Sequence, residues 1–348
     1  MTKANIGAMQ RITLLSFRTF GDYVLKAPFL FELARLYPDA EVTMITNRKG
    51  GQVYPLVDSR LKVVVVDHGD PKLPMLRKLL AIPRAGLVVA LDDSRTTLLL
   101  SLLVRGKRKT GWVQGISRLY AEGGFFEWRS VRPWLSSIVK RVYRPGRVRR
   151  PEDQHDAEVE LELLGLETQA KPLDRYRGDY AFPPAQLSGS RYIYCAAEAG
   201  WRARQLTEEQ WAGVLRGLLQ AFPNHTIVIH GNEAVTDLDE RILPYGQGSV
   251  KQLFEKISAA DLVIAPDSFA LHLASFYGVP AIGYFGPAFP HRFRPTGPRS
   301  TSLFHQPECS PCLQLRGNAL CRRGLVQCSS LTAMTPAEFI TAAKMALG

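Results

Sequence analysis

Acidic residues are scarce in this chain: 32 Asp and Glu stand against 44 Lys and Arg, for a formal net charge of +12. That imbalance argues against cationic partners and points to nucleic acid, an anionic membrane or a phosphorylated substrate. Cysteine is rare and unevenly placed, with four of five residues between Cys309 and Cys328. A small domain held together by disulfides is therefore excluded, and packed cores must supply the stability. A long uncharged apolar run is also missing. The nearest, Leu87–Val104, is interrupted by Asp92, Asp93 and Arg95, so it reads as strand, polar turn and helix. Met1–Gln10 lacks the apolar centre of a signal peptide, and a cytosolic protein is expected.

The 348 residues, 46% hydrophobic and 22% charged, suit two α/β domains with real cores. Arg11–Phe17, Glu41–Thr46, Lys62–Asp67 and Gly86–Leu91 have strand character, and Gly21–Tyr37 has helical period. Lys171–Ser190, rich in Pro, Gly and charge, reads as a connection between domains. The alternation then restarts with strand Tyr192–Ala196, helix Glu208–Ala221, strand Thr226–His230 and helix Val250–Ser258. Thr207–Gln210 and Thr335–Glu338 are capping boxes, the second with Pro336 in its favoured first position. The expected fold is two Rossmann-like, doubly wound domains facing each other across a cleft. The boundaries are 1–175, 190–334 and a C-terminal helix at 335–348.

The run Asp261–Gly286 carries the clearest chemistry. Strand Leu262–Ala265 delivers Asp267 and Ser268 to a turn, helix Phe269–Tyr277 follows, Gly278 stops it, and Val279–Phe285 is a second buried strand. Free backbone N–H groups at such a helix start attract phosphate, and His272 falls one turn into the helix. An ordinary βαβ unit with a capped helix is the plainer alternative. Arg18-Thr19-Phe20-Gly21-Asp22-Tyr23 closes the first strand. Asp22 there is placed either to accept a proton from an attacking hydroxyl or simply to stabilise a helix N-terminus.

Gly21-Asp22 with Val24–Pro28, Leu36–Ala40, Arg204–Trp211, Asp267–Ala274 and Gly278–Pro280 through Phe285–Pro287 resembles the glycosyltransferase family 9 heptosyltransferases in order across most of the chain. The resemblance implies a GT-B enzyme with an N-terminal acceptor domain and a C-terminal nucleotide-sugar domain. It implies inverting transfer of heptose from ADP-heptose to a lipopolysaccharide core acceptor, with no catalytic metal, by a cytoplasmic protein peripheral to the inner membrane. Asp22 would be the base, and Arg204 would stand for a lysine that neutralises the donor pyrophosphate. Asp267 would contact the sugar, and Ser268 with the backbone at Phe269 and Ala270 would hold the diphosphate beside His272. Glu233, after His230-Gly231-Asn232, would take the ribose hydroxyls, with a solvated loop acid as the alternative. Two departures bear on the donor: Phe269 replaces a glycine that lets phosphate approach the backbone, and Ala288 replaces a common threonine. They keep open another nucleotide sugar or a protein acceptor.

Cys309 and Cys312 form a CxxC, followed after eight and six residues by Cys321 and Cys328. Four thiols at this spacing suit a structural zinc or iron ion, with reduced thiols or disulfides as alternatives. The resemblance raises the metal option, because relatives that modify proteins bind iron through four cysteines. Between Arg105 and Arg150, thirteen cations face only Glu122 and Glu127, with aromatic residues interleaved. Arg18, Lys107, Arg108 and Lys109 are candidate anion contacts. An anionic glycolipid acceptor or membrane surface is the expected occupant; a solvated face and single-stranded nucleic acid are the alternatives. A metal-pinned nucleic-acid-binding protein is the rival from another functional class.

Overall fold

A computed structural model describes residues 10–67, 69–92, 94–111, 154–164, 191–309, 321 and 323–348. The chain divides into two compact units, Met1–Lys171 and Pro172–Gly348. The connection at Lys171–Ser190 and most of the basic stretch, beyond Gly111, lie outside the described residues.

The first unit holds strands β1 (Arg11–Ser16), β2 (Glu41–Thr46), β3 (Lys62–Val65), β4 (Ala85–Ala90) and β5 (Gly106–Gly111). All pair in parallel in the order β3-β2-β1-β4-β5. The central strands β1 and β4 read as near-continuous apolar runs, as strands buried on both faces do, whereas the edge strand β5 is Gly-Lys-Arg-Lys-Thr-Gly. The expected single helix over 21–37 is two, Phe20–Val24 and Ala27–Leu36. Pro28 has no N–H to continue the ladder and belongs instead in the first turn of a new helix.

The break turns Lys26 inward. Its side chain is 4% exposed, with Nζ 3.0 Å from the Glu160 carboxylate and 3.0 Å from the Leu91 carbonyl. Glu160 begins the 3-10 turn Glu160–Leu164, so the pair ties that turn to the ends of β4 and the first helix. Removing one partner leaves an uncompensated buried charge, which costs about 3–5 kcal/mol. Lys26→Met is accordingly expected to lower the urea midpoint sharply, and Lys26→Met with Glu160→Leu to recover much of the loss.

The second unit holds β6 (Tyr192–Ala196), β7 (Thr226–His230), β8 (Ile242–Pro244), β9 (Leu262–Pro266), β10 (Ala281–Tyr284) and β11 (Thr301–Leu303). These strands are again all parallel, in the order β11-β10-β9-β6-β7-β8. Trp211, Leu215 and Leu218 from helix Glu208–Ala221 bury one face of this sheet. Phe339, Ala342, Ala343 and Ala346 of helix Pro336–Leu347 join the same core, so the C-terminal helix is part of this unit. Both expected capping boxes form, and Thr19–Asp22 and Ser249–Gln252 add two more. No helix among the described residues is long and apolar enough to cross a membrane.

Candidate active site

In each sheet the strand order reverses direction beside the first strand of its unit, between β1 and β4 and between β6 and β9. Loops leaving the carboxyl ends of such neighbouring strands run apart and leave a crevice, the usual ligand position in open α/β sheets. The sequence places Arg18 and Asp22 after β1, Arg204 after β6, and Asp267 and Ser268 after β9.

In the first unit the turn 17–19 is held from three sides. The backbone N–H of Phe17 donates to Asp92 Oδ2 at 2.6 Å, and Thr97 and the Ser94 N–H donate to Oδ1. Tyr23, fully buried, accepts from the Arg18 N–H and donates to the Arg18 carbonyl at 2.6 Å. Asn47 reaches the same carbonyl while capping helix Arg48–Val57 through Gly50. Burial pushes the Tyr23 phenol up to about 12, so it stays a neutral donor. Burial also opposes ionisation of Asp92. The Arg18 and Lys26 charges and the Thr97 and Phe17 hydrogen bonds outweigh it and hold this carboxyl below its usual range.

This clamp presents Arg18 and Asp22 at the crevice. Asp22 Oδ2 accepts from the Thr19 hydroxyl at 2.8 Å and the Thr19 N–H at 3.2 Å. That capping geometry fixes the carboxylate and leaves it half-exposed. In the sequence Asp92 stands out only as an interruption of an apolar run. Its signal is an acid at the carboxyl end of the strand that pairs with β1.

In the second unit Arg204, in the 3-10 turn Arg202–Arg204, meets Asp267 twice through Nη1: the carboxylate at 3.1 Å and the carbonyl at 3.0 Å. Its guanidinium carbon lies 4.4 Å from the ring centre of Trp201, which was not foreseen and supplies a stacking face. Asp267 is buried, and its other carboxylate oxygen is 3.4 Å from Nε2 of the buried His272. Two polar atoms here are buried without a hydrogen-bond partner: Arg204 Nε and Ser268 Oγ. Ser268 occupies the N-cap position of helix Phe269–Tyr277, yet its hydroxyl does not cap that helix. The first-turn N–H groups, the guanidinium edge and the hydroxyl thus form one donor set suited to an anion.

Phe269 does not obstruct this set. Its ring packs on the fully buried Phe254 of helix Val250–Ser258, centroids 5.9 Å apart, so the side chain turns toward the neighbouring helix. Ala270 and Ala288 are buried. Helix Phe269–Tyr277 ends at Gly278 in the left-handed conformation, as the sequence predicts.

Glu233 opens the 3-10 turn Glu233–Leu238 past the end of β7, and its side chain lies outside the described residues. Glu198, which no sequence motif marks, is exposed just after the end of β6. It lies against Gly231, whose φ of +88° and a Cβ position 2.0 Å from the Glu198 side chain both require glycine.

Lys107, Arg108 and Lys109 lie on β5. Lys109 donates to the carbonyls of Ser101 and Leu102 at the end of helix Arg95–Leu103, and burial lowers its pKa. Lys107 is exposed and Arg108 half-buried. Of the cluster thiols, Cys309 and Cys321 are half-buried and Cys328 is buried; Cys312 lies outside the described residues. Burial, with the neighbouring Cys309 and Cys321 thiols, pushes the Cys328 thiol up. Among the described residues no group of three or more side chains is arranged to hold a metal ion.

The two parallel doubly wound units, one with a fixed carboxylate at its switch point and the other with a cation beside an open helix N-terminus, form the α/β two-domain architecture of GT-B proteins. The family model for glycosyltransferase family 9 (heptosyltransferase) matches residues 76–320, and the chain belongs to that family. Its fold is similar to that of a family 9 glycosyl transferase from Veillonella parvula, at 17% identity over 98% of each chain and a TM-score of 0.69. It is also similar to ADP-heptose LPS heptosyltransferase II of E. coli, at 14% identity over 97% of this chain and 98% of that one, TM-score 0.67. A third similar fold is E. coli heptosyltransferase WaaC solved with ADP, at 17% identity over 84% and 92%, TM-score 0.64. No curated protein matches the sequence.

Proposed function

We propose that this glycosyltransferase moves heptose from ADP-heptose to a lipopolysaccharide core acceptor, with inversion at the anomeric carbon. The observation that carries the reading is the pair of buried, unpartnered donors, Arg204 Nε and Ser268 Oγ, beside the start of helix Phe269–Tyr277. A diphosphate satisfies both and the helix N–H groups together. The names of the E. coli relatives, one solved with ADP and one an ADP-heptose enzyme, support adenine and heptose as the first choice.

In this scheme an acceptor hydroxyl oxygen attacks the anomeric carbon and its proton passes to Asp22. The bond from that carbon to the diphosphate oxygen breaks, and ADP leaves with the electron pair. Arg204 and the helix N-terminus stabilise the charge that grows on the leaving oxygen. Asp267 and Trp201 hold the guanidinium in place before the donor arrives, so little reorganisation accompanies the transfer. Glu233 is assigned to the ribose hydroxyls, and Arg18, Lys107 and Arg108 to acceptor anions. Cys309, Cys312, Cys321 and Cys328 are assigned to a structural zinc or iron on the resemblance and their spacing.

Calorimetric titration with ADP, UDP and GDP tests the donor site. ADP is expected to bind selectively. Ser268→Ala is expected to weaken it about 10- to 100-fold, the scale of one hydrogen bond to a charged group. Thermal stability is expected to hold in that variant, because the hydroxyl has no partner in the protein. Preference for UDP or GDP would retain the transferase and reject ADP-heptose. Salt-sensitive RNA binding without nucleotide binding would favour the nucleic-acid reading.

A further inference from the structure

We propose that a cavity at the amino-terminal end of the second sheet binds a small phosphate monoester, at a site separate from the donor site. The cavity measures about 690 Å³, within the range of small-molecule sites. Arg191 stands just before β6, His225 before β7, Asp261 before β9 and Arg299 two residues before β11, and all four line it. Arg204, Asp267 and Ser268 follow the carboxyl ends of β6 and β9, so the length of the sheet separates the two sites. In the strand order β11-β10-β9-β6-β7, Arg299 and Arg191 approach from either side of β9 and β10, roughly 14 Å apart at the backbone. Lys344 of helix Pro336–Leu347 adds a third cation, and Phe222 supplies an aromatic wall.

The charge of the cavity defines the ligand. The side chains of Arg191, Arg299 and Lys344 have no carboxylate or hydrogen-bond partner among the described residues. Asp261 is the one carboxylate side chain in the lining, and it is already engaged. Its Oδ2 accepts the Tyr192 N–H at 3.0 Å and lies 3.6 Å from Nε2 of the buried His225. Burial lowers the His225 pKa despite the Asp261 charge, so the imidazole is neutral at pH 7 and three cations face one acid. Arg299 also sits in strained backbone: at φ +55° it is the only residue other than glycine with positive φ among the described residues. The Ser300 N–H donates to the Gly297 carbonyl at 3.3 Å and closes a turn with Arg299 in third place, where glycine or asparagine is the usual choice. Ser300 Oγ accepts the Ala281 N–H at 2.9 Å and ties that turn to β10. The turn itself has no use for a long cationic side chain at this position, whereas an anion in the cavity does. Two guanidinium forks and an ammonium match the several acceptor oxygens of a phosphate, and the space beside Phe222 takes an apolar ester group. The inference does not depend on the donor reading, since none of these residues belongs to the site after β6 and β9.

The test is calorimetric titration of the full chain with phenyl phosphate, inorganic phosphate and phenol. Expected is binding of phenyl phosphate, weaker binding of inorganic phosphate and none of phenol. Arg191→Gln/Arg299→Gly is expected to weaken phenyl phosphate at least about tenfold, with ADP affinity unchanged. Arg299→Gly alone is expected to weaken it while Tm holds or rises, because glycine adopts the left-handed backbone freely. Lys344→Gln, at an exposed helix position, keeps the test sound if the turn variants fold poorly. Binding lost in Ser268→Ala but kept in the cavity variants would put the probe in the donor site and overturn the proposal. So would absent binding, inorganic phosphate held as tightly as the ester, or full retention by the cavity variants.

Discussion

Asp22→Asn is expected to lower kcat by about 10²- to 10⁴-fold, the usual worth of a positioned general base, while leaving ADP affinity within about twofold of the parent. Asparagine preserves the size of the side chain and one oxygen for the Thr19 N–H and hydroxyl, so the short helix Phe20–Val24 keeps its cap. What it removes is the ability to take a proton. Single-turnover transfer and calorimetry on the same preparation separate the two effects. Near-parental turnover would make Asp22 a capping residue only. A matching loss of ADP affinity would mean that the substitution had disturbed more than proton transfer.

The second large effect concerns Arg204. Arg204→Ala is expected to weaken ADP binding at least about 100-fold, the low end of the scale of two charge-assisted hydrogen bonds. It also leaves Asp267 buried beside His272 without its cation, so a fall in thermal stability should accompany the loss. Arg204→Lys is the more informative change. Lysine keeps the charge but lacks Nε, the planar fork and the face that stacks on Trp201. About a tenfold loss of ADP affinity, with stability largely restored, is expected. Unchanged ADP affinity in a folded Arg204→Ala protein would remove this residue from the donor site.

Several elements were legible because one local cause dictates each of them. Helix Glu208–Ala221 begins at a capping box, helix Phe269–Tyr277 ends where Gly278 takes a left-handed turn, and the strands are apolar runs of buried length. Asp267, Ser268 and Asp22 could be singled out because they stand where strands hand over to helices, although a helix cap asks for the same residue types there. Helix 21–37 misled because its apolar period continues through a break that only Pro28 marks. Phe269 misled in another way: sequence shows its bulk but not its direction, and that direction is fixed by Phe254, fifteen residues earlier.

The sequence by itself determined the parallel α/β architecture, the family and the two loops proposed here to carry the chemistry, because periodicity, caps and turn residues act over a few neighbours. Tertiary structure alone decided which distant groups share a charge or a cavity wall. Asp92 secures the turn before Asp22 across 75 positions, Lys26 meets Glu160 across 134, and Arg204 meets Asp267 across 63. Burial then makes those pairings strong, since in a low-dielectric interior an ion or donor must find its partner or pay its full desolvation.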